Sequence, residues 1–209
     1  MNRSTINLHL GDSLEAMKEY PDNHWDLAIC DPPYGIGHSL LSGESRGSKF
    51  VRNERHVDWD IVPSKEYWNE LFRVSKNQII WGGNYFIEYL DNTKCFLMWD
   101  KMQEFSGSDF ELAWTSFEKP SKAFRMSRVE SYSKGKIHPT QKPVKLYEWL
   151  LKNYAKEGDK ILDTHGGSMS IALACHNLKY DLDLWELDAD YHAAGVKRFE
   201  QHKKQLQLF

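Results

Sequence analysis

Asp26-Leu27-Ala28-Ile29-Cys30-Asp31-Pro32-Pro33-Tyr34 joins a short apolar run to a carboxylate, two prolines and an aromatic ring. The apolar run reads as a buried parallel strand, and two prolines forbid further sheet pairing, so the chain leaves the sheet at Asp31. In an open α/β sheet, residues at the carboxyl end of a parallel strand line the crevice where ligands bind. Prolines have fixed φ and no N–H, which leaves their carbonyls as pre-set acceptors. An exocyclic amino group offers two N–H donors. A carboxylate oxygen and a proline carbonyl satisfy both, while Tyr34 stacks on the ring that carries the amine. The plainer reading is a strand-ending turn, because Asp-Pro commonly opens turns.

Outward from this stretch, further apolar runs read as strands at 6–11, 78–81, 95–99, 110–114, 160–164 and 182–187, which with 26–31 makes seven. Residues 64–75 read as a helix with Tyr67, Trp68, Leu71 and Phe72 on one face, taken as core packing. A second helix follows Pro143, with Val144, Tyr147, Leu150, Leu151 and Tyr154 apolar and Gly158 at its end. Strand and helix signals alternate, so the expected fold is α/β: one doubly wound, seven-stranded, mostly parallel sheet of the Rossmann-like kind, formed by residues 1–209 as a single domain.

The strand at Lys160-Ile161-Leu162-Asp163 runs into Thr164-His165-Gly166-Gly167-Ser168, where glycines let backbone approach a ligand and the next helix offers free N–H groups. Glu186 ends the following strand about 20 residues later, the place where nucleotide-binding α/β folds put an acid on ribose hydroxyls. Together with Asp31-Pro32-Pro33-Tyr34, this loop resembles the amino-methyltransferases that act on DNA bases, and the likeness covers nearly the whole chain. The order, with the catalytic strand first and the cofactor loop last, resembles the beta group of small phage or bacterial enzymes.

The resemblance implies Asp31, Pro32, Pro33 and Tyr34 as catalytic. It implies an S-adenosylmethionine site at Asp12, Asp31, Asp163, His165, Gly166, Gly167, Ser168 and Glu186. In the family, an element similar to His138-Pro139-Thr140-Gln141-Lys142-Pro143 helps hold the methionine end, which adds His138, Thr140 and Lys142. Asp at the first motif position usually accompanies adenine N6 and Ser cytosine N4, so the expected activity is that of a site-specific adenine methyltransferase. It would act on a base flipped out of double-stranded DNA. Cytosine N4 stays open. So does a DNA-binding protein that keeps the fold but methylates weakly, because the family pattern Asp-Pro-Phe-x-Gly-Ser-Gly is met here by Asp163-Thr164-His165-Gly166-Gly167-Ser168-Met169. A methionine where φ is positive, or where ligand lies on bare backbone, is expected to lower cofactor affinity.

A net charge of -3 requires the cations that meet phosphate to be segregated. Arg46, Lys49, Arg52 and Arg55, and then Lys122, Arg125 and Arg128, fall in segments 36–60 and 101–137, which read as DNA-facing loops by composition. Trp59 and Trp185 are candidates for stacking or for the core. With 41% hydrophobic content and no apolar run of about 18 residues, the chain is expected to be a cytoplasmic domain without a membrane span. Cys30, Cys95 and Cys175 lack metal or disulfide spacing, and no metal site is expected. A domain of this size reads a short site or works as a homodimer. The terminal Gln205-Leu206-Gln207-Leu208-Phe209 resembles the peptide by which bacterial proteins dock on the replication sliding clamp.

Overall fold

A computed structural model of the chain describes residues 4–36, 60–102, 108–127 and 141–206. In chain order the strands are β1 (Ile6–Leu10), β2 (Leu27–Cys30), β3 (Gln78–Trp81), β4 (Phe96–Asp100), β5 (Phe110–Thr115), β6 (Lys122–Arg125), β7 (Lys160–Asp163) and β8 (Asp181–Glu186). The helices are α1 (Ser13–Lys18), α2 (Lys65–Val74), α3 (Val144–Tyr154), α4 (Ser170–Leu178) and α5 (Ala189–Leu206). The strands form one sheet in the order β1-β8-β7-β2-β3-β5-β4-β6. All neighbours are parallel except at β5, which runs against both β3 and β4.

The fold class read from the sequence holds, with one strand more than the seven expected. β6 occupies an edge and pairs Leu97–Asp100 with Lys122–Arg125. Lys122 and Arg125 therefore stand on an exposed edge strand, not in a loop, and the segment 101–137 contains β5 and β6. A short strand with charged ends is a common way to blunt a sheet edge, and its polar composition resembles that of a solvated loop.

Alternating strand residues feed two cores, because successive side chains point to opposite faces. Leu27, Ile29, Ile79 and Trp81 pack with Leu146, Leu150, Ile171, Leu173 and Phe199 under α3, α4 and α5. Ala28, Cys30, Ile80 and Leu162 pack with Met17, Tyr67, Trp68, Leu71 and Val74 under α1 and α2. Trp185 belongs to this second core, 5.9 Å from the ring of Trp25, so it packs and does not face the sheet edge.

Helix starts follow local chemistry. Ser64 accepts from the Tyr67 N–H to cap α2, Asp12 accepts from Leu14 N–H to cap α1, and Pro143 precedes α3 with φ -67°. The connection after β2 leads to α2 on one face, while β7 leads to α4 on the other. The reversal of winding thus falls between the neighbours β7 and β2, which is where such sheets open a crevice.

Trp25 is fully buried, donates its ring N–H to Asp183 Oδ2 at 2.9 Å and packs 4.5 Å from Tyr20. Trp25→Ala is expected to lower unfolding free energy by about 3–5 kcal/mol, measured by urea denaturation.

Candidate functional site

The carboxyl edge of the sheet carries a row of acids. Asp12 and Glu186 lie beyond β1 and at the end of β8, where Gly11 N–H donates to the Glu186 carbonyl at 2.9 Å. Asp163 ends β7, Asp31 follows β2, and Glu111 enters from the antiparallel β5. The crevice between β7 and β2 thus has Asp163 on one side and Asp31 on the other.

Asp31 is engaged on both oxygens. Tyr34 donates its hydroxyl to Oδ1 at 2.5 Å, and the Lys142 ammonium donates to Oδ2. Lys142 is only 2% exposed, and it also reaches Glu111 Oε2 at 3.3 Å and lies 5.3 Å from the Trp81 ring centroid. Lys101 completes the chain at 3.0 Å from Glu111 Oε1. Burial alone would neutralise Lys142, but Asp31 and Glu111 hold its pKa above the ordinary value. Burial pushes Asp31 upward against the pull of Lys142. For Glu111, Lys142 and Lys101 outweigh burial and leave it below the ordinary range. Burial and the neighbouring Asp31 carboxylate raise Tyr34 well above its usual pKa, so it remains a phenol that donates.

The Tyr34 ring lies stacked on Tyr85, with centroids 4.9 Å apart and planes 16° off parallel. Gly82, at φ 69°, allows this ring position: a Cβ there would fall 2.2 Å from Tyr34 Cε1. Gly35 N–H donates to Asp60 Oδ1 at 2.9 Å, which fixes the chain just past the motif.

Across the crevice, the turn after β7 is held by several groups. His165 N–H donates to Asp163 Oδ1 at 3.0 Å, and Gly167 N–H to Glu186 Oε2 at 2.6 Å. Gly166 is pressed against β8, where a Cβ would fall 2.3 Å from Leu184 Cδ2. Thr164 Oγ1 is 2.7 Å from the Tyr67 hydroxyl and 2.9 Å from His165 Nδ1. Burial drops His165 to about 4, so its ring is neutral at physiological pH. Met169 has φ 55° and ψ 30°, the backbone region expected of the glycine it replaces, at a cost of about 1–2 kcal/mol for a residue with a Cβ. Its side chain is fully buried in the core under the helices. That side chain turns inward, away from the backbone of the turn, and packs under the helices.

Of the residues expected from sequence, Asp12, Asp31, Tyr34, Asp163, His165, Gly166, Gly167, Ser168 and Glu186 lie along this edge or in the β7–α4 turn. Lys142 contacts Asp31 and Glu111. His138 and Thr140 lie outside the described residues, as do Arg46, Lys49, Arg52, Arg55, Arg128 and Trp59. In the sequence, Glu111 and Tyr67 read only as strand and core. A charged residue at the start of an apolar strand was the one signal for Glu111, and nothing in sequence linked it to Lys142. Among the described residues, no group of three or more His, Cys, Asp or Glu is arranged to hold a metal ion, and no helix is long and apolar enough to cross a membrane.

A family model described as DNA methylase, covering N6 and N4 enzymes, matches residues 99–198. Over these residues the chain is similar to the DNA amino-methyltransferases. YubD of Escherichia coli (strain K12), whose name describes it as a methylase, is 24% identical over 94% of this chain and 91% of its own length. The type II methyltransferase M.HpaI of Haemophilus parainfluenzae is 25% identical over 80% of this chain, which spans 65% of that relative. The fold is similar to that of M1.HpyAVI in its SAM complex, with a TM-score of 0.64, 20% identity and coverage of 93% of this chain and 98% of the other.

Asp163 is pushed up to about 7 from 3.8, first by burial and then by Asp31 and Glu186 against the pull of the His165 N–H and Lys142. Below the unfolded pKa both states hold the proton. As pH rises toward about 7 the unfolded chain releases it and the folded chain does not, so stability is lost over that window. Asp163→Asn keeps the acceptor for His165 and removes the titration. In urea melts of the ligand-free protein, its stability relative to wild type is expected to increase from pH about 4 to about 7 and then level off.

Proposed function

We propose that this chain transfers the methyl group of S-adenosylmethionine to the N6 amino group of an adenine flipped out of DNA. The observation that carries the reading is the buried Asp31 carboxylate at the β2 edge, bonded to Tyr34 and Lys142, directly across the crevice from the glycine turn of β7.

The residues present suit the cofactor. Glu186 and the bare backbone at Gly166 and Gly167 fit a ribose and a closely approaching ligand, and the row of acids suits a ligand carrying positive charge. Asp163, raised to about 7 by burial, is the acid whose ionisation a bound cation would favour. When bound, S-adenosylmethionine supplies an electrophilic methyl group.

Asp31 and the Pro32 carbonyl accept the two hydrogens of the target amine, which frees the nitrogen lone pair toward the methyl carbon. A cofactor held by the glycine turn and Glu186 would supply its methyl group to this nitrogen, and the amine would give up one proton through the Asp31 oxygen that accepts its hydrogen. Lys142 keeps Asp31 oriented and pulls it toward the charged form, with Glu111 balancing Lys142. Tyr34 offers its ring face to the base, and Tyr85 must give up that face for the base to enter. The protein contributes positioning and exclusion of water.

The target base is the finer part of the reading: Asp rather than Ser opens the motif, which in the resemblance accompanies adenine. Contacts to duplex DNA from segments 36–60 and 101–137, a homodimer, and clamp docking through Gln205–Phe209 belong to the same proposal. Gln205 and Leu206 end α5, and residues 207–209 lie outside the described residues.

Labelled methyl transfer to unmethylated bacterial DNA, followed by digestion to nucleosides, tests the proposal. The expected result is label in N6-methyladenine, reduced at least about a hundredfold in Asp31→Ala. Label in N4-methylcytosine would overturn the target. Absence of label, with DNA binding retained, would overturn the activity in favour of a DNA-binding protein on a methyltransferase fold.

A further inference from the structure

The β7–α4 turn departs from the family pattern at Met169, and the compensation lies in the last helix. Gly195 is buried on the face of α5 that meets the turn. A Cβ on Gly195 would fall 2.6 Å from Met169 Cγ, 2.7 Å from Sδ and 3.0 Å from Cε. The methionine side chain therefore occupies the space that a side chain at 195 would need. The clash reaches Cγ, near the root of the side chain, so rotation of the thioether end alone does not relieve it.

One helical turn further on, Arg198 donates through Nη1 to the Ser168 carbonyl at 2.6 Å and to Ser170 Oγ at 2.9 Å. Ser168 and Ser170 hydroxyls are themselves 3.0 Å apart. Residues 195 and 198 are three apart and share one helix face, so a single surface of α5 grips the turn on both sides of Met169.

We infer that α5 sets the conformation of the cofactor turn, with Gly195 and Arg198 as its positioning residues. In this chain a methionine–glycine pair does what a bare glycine in the turn would otherwise do: Met169 keeps the left-handed backbone, Gly195 takes its side chain, and Arg198 ties down the carbonyl before it. Both act on residues 168–170 of the turn. The inference rests on the reading of this turn as the S-adenosylmethionine site.

Binding of S-adenosylmethionine by calorimetry and steady-state methyl transfer, measured for wild type, Gly195→Ala, Met169→Gly, the double variant and Arg198→Met, test it. Gly195→Ala is expected to raise Kd and KM for S-adenosylmethionine by about tenfold, with kcat at saturating cofactor within about twofold. Met169→Gly in the same chain removes the clash, and the double variant is expected to bind within about threefold of wild type, a non-additivity that contact between the two residues requires. Arg198→Met is expected to weaken binding in the same direction, again sparing kcat.

Unchanged Kd in Gly195→Ala, or a double variant as weak as the single one, overturns the inference. A kcat loss that follows a fall in thermal midpoint, with KM constant, also overturns it, because that pattern marks a merely structural role. Failure of wild type to bind S-adenosylmethionine overturns instead the reading of the turn on which this rests.

Discussion

Lys142 is a fully buried cation between two carboxylates, and the geometry of the crevice depends on it. Without its ammonium, Asp31, Asp163 and Glu111 would face one another in a poorly solvated space, and protonation would relieve the repulsion. With it, Asp31 keeps a fixed orientation and Glu111 stays ionised. Removing one member of such a group leaves an uncompensated buried charge, at a cost of about 3–5 kcal/mol. Lys142 immediately precedes Pro143 and α3, so helix and ammonium are placed by the same few residues.

The two sides of the crevice solve different problems. On the β2 side, charges are matched and the aromatic rings of Tyr34 and Tyr85 close on each other over Gly82. On the β7 side, Asp163 accepts from the His165 N–H, and burial raises its pKa to about 7. In the proposed function the first half receives a neutral ring bearing N–H donors, and the second a ligand that brings positive charge. That division follows from which strand ends carry a lysine within reach.

The fold was legible where burial leaves a pattern. Apolar runs ending in Asp31, Asp163 and Glu186 marked three adjacent strand ends, and glycines after Asp163 marked the turn, because those features follow from one residue's neighbours. The features that escaped depend on residues far apart in sequence. Glu111 reads as a strand residue until β5 pairs antiparallel with β3 and brings it to Lys142. Tyr67 reads as core on a helix face, yet its hydroxyl meets Thr164 across the sheet. β6 was hidden because Lys122-Ala123-Phe124-Arg125 carries the charge of a surface loop, and edge strands are selected for that charge. Met169 was recognised as a departure, but its remedy, a glycine in the middle of α5, has no motif of its own; a helix-interior glycine, which costs stability, was the only available clue.

The β2–β7 pairing joins segments distant in the chain. Lys160 N–H donates to Asp26 Oδ2 across 134 residues, and Leu27 faces Ile161 in the register. During synthesis β3 becomes available to β2 well before β7 does. Until β7 exists, the other side of β2 is an open apolar edge, and β8 and β1 cannot join the sheet. Closing so large a loop is slow, and an exposed edge is open to intermolecular pairing while it lasts. The charged and proline-rich flanks of β2, Asp22 and Asp26 before it and Asp31-Pro32-Pro33 after it, limit that pairing. Asp31-Pro32-Pro33, which line the crevice, are also residue types that interrupt strand pairing at an edge.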